Sequence, residues 1–450
     1  MAENNFPAKH LTVCNFPTPF DGEVAYFELG LHRIAHPCAP GWQVAEVSLA
    51  QHGAEKQAQA VLETRPDAIL IHVYRDRVRD ALALADALAA NHPETPLIWC
   101  GWTAHAPYLQ AVSQATLPIR HPRLLLACGE VEAVVPPLLA RIAEGGADFE
   151  ALTETLSTVA WFDSHAGQWK GQGLFAQVPD VAGLAPVWDS PTPLRAHPGG
   201  AGWIEVSRGC KYACSFCVAC SMGEGSVRPH HPERIRAEVA AAASQGVKLF
   251  GLLAAAINYD EQSLRALSES IVSRGAPDCR VAGTVHAKFA QGDRLALMAS
   301  MKWETMIVGL QTTTAEAQRL MRRREERDVF AAAVERLRAF CVPEVELILG
   351  LPGDTAKGFE ASVRFALSLP VSVSVYCLRL DPWSKFLEQR VALGLQADFA
   401  NAGRVSALPG FPADELKAAG EWLRALARGP WRHRASRLMF DGTPIYSSRR

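Results

Sequence analysis

The chain has 450 residues, 49% of them hydrophobic and 20% charged, the composition of an ordinary folded protein of roughly two to four domains. Its formal net charge of −2 excludes broad electrostatic attraction to nucleic acid or an anionic membrane, and no apolar run reaches the roughly 18–20 residues that span a bilayer. The opening Met1-Ala-Glu-Asn-Asn5 carries no charged-then-apolar signal segment. Cys14, Cys38, Cys100, Cys128, Cys279, Cys341 and Cys377 are scattered, as small buried residues of a reduced protein would be, so a cytoplasmic location is expected.

Residues 1–145 repeat one unit. Leu11–Phe16, Gln43–Leu49, Ala68–Tyr74, Pro96–Gly101 and Leu124–Gly129 are continuous apolar runs, each followed by a helical pattern, over 24–34, 54–62, 78–90, 105–114 and 131–142. Apolar strands alternating with helices predict a parallel sheet covered on both faces. This is a doubly wound, Rossmann-like α/β domain that takes its ligand outside the carboxyl ends of the strands. Two of those ends are chemically distinctive, Cys100-Gly101-Trp102-Thr103 and Cys128-Gly129-Glu130-Val131-Glu132. Glycine there either lets a ligand approach the backbone or serves an ordinary turn. The loop after the first strand, Asn15 to Gly22, has no histidine, and Tyr74 and Arg75 close the third strand as ligand contacts or as exposed loop residues.

Residues 146–200 predict a hairpin and a linker. Val159–Lys170 gives two short strands, and Asp163-Ser-His-Ala-Gly167 reads as the turn between them rather than as a cofactor-binding histidine loop. Pro186, Pro191, Pro193, Pro198, Gly199 and Gly200 mark a surface linker, with a domain boundary near residue 195.

The strand Trp203–Val206 then ends in Ser207-Arg-Gly209 and releases Cys210, Cys214 and Cys217 in C-x3-C-x2-C spacing. Thiolate is the soft ligand that iron–sulfur chemistry selects, and three thiolates supply one ligand fewer than a 4Fe–4S cluster needs, leaving one iron open. The rival is a structural zinc site with Cys220 as fourth thiolate, although the usual two C-x2-C pairs are missing. A ferredoxin-type cluster would place its three-residue gap last. With Phe216 just before the third cysteine, the stretch resembles the signature of the radical S-adenosylmethionine superfamily. The resemblance implies that Cys210, Cys214 and Cys217, but not Cys220, ligate a 4Fe–4S cluster. Its open iron would chelate the amino and carboxylate groups of S-adenosylmethionine, with Phe216 near the adenine.

Residues 201–400 continue as strands over 247–253, 280–285, 305–310, 345–350 and 371–380, with helices between them. Six strands with intervening helices fit the partial (β/α)6 barrel of that superfamily, whose functional groups lie at the carboxyl ends of the strands. Gly309-Leu-Gln311-Thr312 is similar to a family segment in which the glutamine reaches the ribose or carboxylate of S-adenosylmethionine. The plain alternative for Gln311 is an amide that satisfies loop backbone. Leu347–Thr355 resembles the family's Gly-Leu-Pro-Gly-Asp-Thr turn after strand five. Trp383 is either an aromatic wall for the substrate or a surface-packed ring. Gly251 is a further candidate at the cofactor, but Gly251–Tyr259 carries alanines where relatives carry an acid, and no Gly-Gly-Glu is present to hold the methionyl amine. The run Arg322–Arg327 reads as a solvated helix face, and His230, His231 and His286 read as core or loop residues. Residues 401–450 predict one amphipathic helix over 413–427 and a basic, aromatic tail, Trp431–Arg437, that is by default solvated, the alternatives being a cap on the barrel or a contact to an anionic substrate.

Ahead of such a barrel, residues 1–145 resemble the cobalamin-binding domain of cobalamin-dependent radical enzymes, with Cys100-Gly-Trp where that family often has a Gly-Gly-Pro-like segment. This implies that Gly101, Trp102, Gly129 and Glu130 contact cobalamin and that no histidine ligates cobalt, its lower face being left to Tyr74 or Arg75. The implied activity is a methyltransferase that moves a methyl group from S-adenosylmethionine, by way of methylcobalamin, to a carbon of a small metabolite or peptide natural product. It would draw electrons from a reduced flavodoxin- or ferredoxin-type donor and have no nucleic-acid or membrane partner. The alternatives are a radical cyclase or oxidoreductase using cobalamin without methyl transfer, the same barrel beside an empty N-terminal scaffold, and an iron–sulfur sensor that does not turn over S-adenosylmethionine.

Overall fold

The computed structural model describes residues 9–16, 41–50, 53–145, 148–189, 200–218, 225–273, 279–426, 428 and 437–447. The helix expected over 24–34, most of the proline-rich linker, Cys38, Cys220 and the start of the basic tail lie outside these residues. The chain divides into two compact units. One takes the described residues up to Pro179 together with Phe399–Ala402, and the other takes Asp180–Asp189 and the remaining described residues from 200 onward.

The first unit is built on β1 (Lys9–Asn15), β2 (Trp42–Ser48), β3 (Ala68–His72), β4 (Leu97–Cys100), β5 (Leu124–Ala127), β6 (Val159–Asp163) and β7 (Gln168–Lys170). Its seven-stranded sheet has the order β2-β1-β3-β4-β5-β6-β7. The pairings from β2 to β5 are parallel, and β6 and β7 add to the edge as an antiparallel hairpin. Every residue of β4 and β5 is buried, which is why these strands read as unbroken apolar runs. Leu11, Val13, Leu70, Ile98 and Leu125 pack on one face against Val134, Val135 and Leu138 of the helix Val131–Ala143. The helix Phe149–Thr155 was not expected from sequence. It starts where the Asp148 carboxylate accepts hydrogen bonds from the backbone N–H groups of Glu150 (3.0 Å) and Ala151 (3.2 Å).

The second unit comprises β8 (Ala201–Glu205), β9 (Ser207–Gly209), β10 (Val227–Pro229), β11 (Leu249–Leu253), β12 (Arg280–Val285), β13 (Trp303–Gln311), β14 (Glu344–Leu349), β15 (Ser372–Cys377), β16 (Gln396–Asp398), β17 (Arg404–Ala407), β18 (Arg437–Phe440) and β19 (Thr443–Ser447). Six of them, β8, β11, β12, β13, β14 and β15, are neighbours in sequence order and pair in parallel, each joined to the next through helix. This is the run of strands expected of a partial barrel. Residues 431–436 of the basic tail lie outside the described residues, and the chain after them extends the sheet as a hairpin. β18 pairs in parallel with β15, and β19 returns antiparallel. Leu438 and Phe440 are buried in alternation, and Asp441 and Gly442 both have positive φ (49° and 81°), the geometry of a tight hairpin turn.

Candidate functional site

The strand β8 delivers the chain to β9, which pairs with β10 and so closes the base of the cysteine-bearing loop. Beneath it, Glu205 receives Arg208 Nε at 2.7 Å and pairs with His230 Nε2 at 2.9 Å, fixing the ribbon where the loop leaves it. Gly209 turns the chain at φ 82° into Cys210. The Cys210 thiol lies 3.6 Å from Tyr259 Oη and accepts the Tyr212 N–H at 3.4 Å, while Cys217 N–H donates to the Cys214 carbonyl at 3.0 Å. Between them Ser215 anchors the loop. Its N–H donates to the Met321 carbonyl (3.0 Å), its hydroxyl to the Leu320 carbonyl (3.0 Å), and its carbonyl accepts from Phe386 N–H (2.8 Å).

All three cysteines are free thiols, Cys214 buried and Cys210 and Cys217 half-buried. Among the described residues no three His, Cys, Asp or Glu side chains converge on one metal-ion position, and Cys220 lies outside those residues. A cubane asks less, because each thiolate binds a different iron. Three soft donors spaced along one anchored loop fit that demand. Phe216 is half-buried on the same loop.

Around the carboxyl ends of the strands the structure gathers groups that sequence alone did not connect. Gln311 ends β13 with φ 67° and is only 6% exposed, its amide occupying the space beside Gly309 that a side chain there would need. Arg323 donates to the Gly309 carbonyl at 2.7 Å and pairs with Glu325 at 3.1 Å. Glu325 lies 3.4 Å from His286, and the His286 ring stacks on Tyr212 with centroids 4.6 Å apart and planes 2° from parallel. Burial, helped by Arg323 and Lys288, pushes His286 down to about 3, so its imidazole is neutral. The run Arg322–Arg327, expected to be a solvated helix face, is therefore corrected in part. The helix Ala315–Leu320 ends and the next starts at Arg327, so Arg323 and Glu325 lie in the connecting loop and turn inward. Asp354, in the Gly-Leu-Pro-Gly-Asp-Thr turn, accepts from Thr312 Oγ1 (3.0 Å) and Thr314 Oγ1 (2.8 Å), binding the loops after β13 and β14 together.

On β14, Val345 and Leu347 are fully buried, and Glu344, Glu346 and Ile348 take the opposite face. Glu344 is paired, receiving Ser374 Oγ at 2.5 Å and Arg437 at 2.8 Å. Glu346 has no such bond among the described residues. Burial and the nearby Glu344, opposed by Arg323, push its carboxyl up to about 7. At Gly251 the place of the missing side chain is filled by the Trp203 ring. Trp383, half-buried after the sixth barrel strand, is held at φ 63°, a conformation bulky residues rarely adopt.

In the first unit, Gly101 and Gly129 lie side by side as a bridge at the carboxyl rim of β4 and β5. Both have positive φ, 91° and 124°, and both spaces are used by the chain itself. A side chain at 101 would meet His72, and one at 129 the backbone of Ala176. Glu130 serves the same segment, its carboxylate accepting Val178 N–H at 2.7 Å and its own N–H donating to the Ala176 carbonyl at 2.9 Å. Trp102 is 47% exposed. The Tyr74 ring lies 4.6 Å from that of His72, and Arg75 is 3.5 Å from Asp76. The strand order places the crevice between β1 and β3, and there Asn15 Oδ1 is buried with no hydrogen-bond donor among the described residues.

Residues 204–366 match the family model described as the radical SAM superfamily. In sequence the chain is 30% identical over 192 residues to a tRNA-2-methylthio-N(6)-dimethylallyladenosine synthase from Frankia alni, covering 40% of this chain and 38% of that protein. It is 29% identical over 253 residues to the protein of the same name from Nocardioides sp., covering 51% of this chain and 50% of that one. The match thus spans at most half the length of these curated relatives. In structure the chain is similar to the radical S-adenosylmethionine methyltransferase TsrM from Kitasatospora setae with cobalamin and a 4Fe–4S cluster bound. The TM-score is 0.72 at 16% identity, over 96% of this chain and 93% of that one. It is also similar to the cobalamin-dependent S-adenosylmethionine radical enzyme OxsB with aqua-cobalamin and S-adenosylmethionine bound, with a TM-score of 0.62 at 14% identity over 90% and 57% of the two chains. At such identities the likeness is one of fold.

Proposed function

We propose that the chain is a cobalamin-dependent radical S-adenosylmethionine methyltransferase acting on a carbon of a small metabolite or peptide, because residues 204–366 match the radical SAM superfamily model and the chain has the fold of the cobalamin-dependent radical enzymes. The observation that carries this reading is the pairing, in one chain, of a doubly wound unit with strand order 2-1-3-4-5 and a sequential parallel unit that starts at a three-thiol loop. Bound here, the cluster, S-adenosylmethionine and cobalamin would supply the one-electron and methyl-transfer chemistry, as cofactors commonly do.

The chain's own residues hold and shield. Cys210, Cys214 and Cys217 would bind three irons, and Ser215 keeps their loop in place before any metal arrives. Gln311 presents an amide to S-adenosylmethionine, and Phe216 an aromatic face to its adenine. The neutral His286, stacked on Tyr212, closes one side of the loop to water. Glu346 can hold or release a proton near neutral pH at its carboxyl oxygens.

The test is anaerobic purification with supplied cobalamin and iron, then reaction with methyl-labelled S-adenosylmethionine, dithionite and a panel of aromatic amino acids and peptides. S-adenosylhomocysteine with label in a carbon–methyl product supports the reading. Cleavage of S-adenosylmethionine to 5′-deoxyadenosine without methyl transfer favours the cyclase or oxidoreductase. Because sequence relatives are named tRNA-2-methylthio-N(6)-dimethylallyladenosine synthases, tRNA carrying N(6)-dimethylallyladenosine is one arm. A methylthio product there would replace the reading.

A further inference from the structure

Asn15 ends β1 in register with His72 of β3, which is in register with Cys100 of β4. From β1 the chain runs to the edge strand β2 and returns to β3 on the other side, so the carboxyl ends of β1 and β3 border the crevice where doubly wound folds bind ligands. The backbone here is satisfied, the Asn15 carbonyl accepting Leu49 N–H at 2.7 Å. The side chain is not. Asn15 Oδ1 is buried and receives no hydrogen bond among the described residues. A buried amide oxygen without a donor is uncommon enough to require a partner from outside.

The surroundings define that partner. His72 is neutral, pushed down to about 4 by burial, and its ring meets Tyr74. The sequence Asn15-Phe16-Pro17 is not a glycine-rich phosphate motif, and the neutral His72 offers a phosphate no cation. Asn15 offers an acceptor to a neutral N–H donor, and the corrin rim is decorated with carboxamides. We propose that Asn15 binds a peripheral carboxamide of the corrin ring, with the His72 imidazole as the adjoining wall. This rests on the cobalamin reading above.

The experiment measures cobalamin binding rather than turnover. The full chain, with its cluster reconstituted, is titrated anaerobically with hydroxocobalamin and with dicyanocobinamide, which keeps the corrin carboxamides and lacks the nucleotide tail. Binding is read from the visible spectrum of the protein fraction. Asn15→Leu should weaken both by roughly tenfold, as expected for one buried hydrogen bond, and Asn15→Asp, which keeps the acceptor, should retain most of the affinity. Iron content is measured alongside to show that the Leu variant is folded. If wild type binds both and Asn15→Leu binds them equally well, water satisfies Asn15 and the inference fails while the cobalamin reading stands. A loss seen with hydroxocobalamin alone assigns Asn15 to the nucleotide tail and overturns the carboxamide contact. If wild type retains neither corrinoid, the cobalamin reading falls and this inference with it.

Discussion

Phe386 N–H donates to the Ser215 carbonyl at 2.8 Å, tying the loop that carries the three cysteines to the loop that follows the sixth barrel strand. With the two bonds from Ser215 to Met321 and Leu320, the cysteine loop is held from both sides by protein alone. Replacing Cys210, Cys214 or Cys217 by Ala should therefore abolish the cluster, read as bound iron and sulfide, with little change in far-ultraviolet circular dichroism. Cys220→Ala should keep full iron. Loss of iron in Cys220→Ala as complete as in Cys214→Ala would make the site four-cysteine and remove the open iron.

Gln311 combines a buried amide with left-handed backbone. Gln311→Ala should weaken S-adenosylmethionine binding by about three- to tenfold in equilibrium dialysis, leaving iron and cobalamin unchanged. Gln311→Gly should bind as weakly yet unfold at an equal or higher temperature, because glycine adopts φ 67° without strain. Binding of wild-type strength in both variants would place the cofactor elsewhere.

The buried Glu238 carboxylate accepts backbone N–H groups from Val187 (2.8 Å) and Trp188 (2.6 Å) and lies 3.6 Å from Arg234. It pins the approach to the first barrel strand. Glu238→Ala removes the acceptor of two backbone N–H groups and the carboxylate beside Arg234, and should cost about 2–4 kcal/mol in urea unfolding. Glu238→Gln, which keeps one oxygen, should cost less. Equal, small losses in both would mean that water replaces the carboxylate.

Glu346 gives the chain a pH signature. Its carboxyl is raised from 4.5 to about 7, so the folded state holds a proton there that the unfolded state has released. Stability is thus lost as pH rises from about 4.5 to about 7. Glu346→Gln, which cannot ionise, should be more stable than wild type at pH 8 by on the order of 2–3 kcal/mol and equal to it near pH 4.5. Denaturant titrations at both pH values read this, and a difference independent of pH would argue for a changed contact instead.

Sequence alone determined the core strands of both sheets and most of the helices between them, because unbroken apolar runs and helical periodicity are local properties, while the helix Phe149–Thr155 and the last hairpin escaped it. The strands Ala68–His72, Leu124–Ala127 and Arg280–Val285 and the helix Val78–Asn91 lie where their patterns put them. The three thiols were legible from spacing, and the Asp441-Gly442 turn also carried a local signal that would have found the last hairpin. What the glycines are for was decided by the tertiary structure. Gly251 makes room for Trp203 and Gly129 for Ala176, partners 48 and 47 residues away that no local pattern names. The meeting of Arg323, Glu325, His286 and Tyr212 was likewise decided by register and loop path, since side chains far apart in the chain become neighbours only once parallel strands align their carboxyl ends.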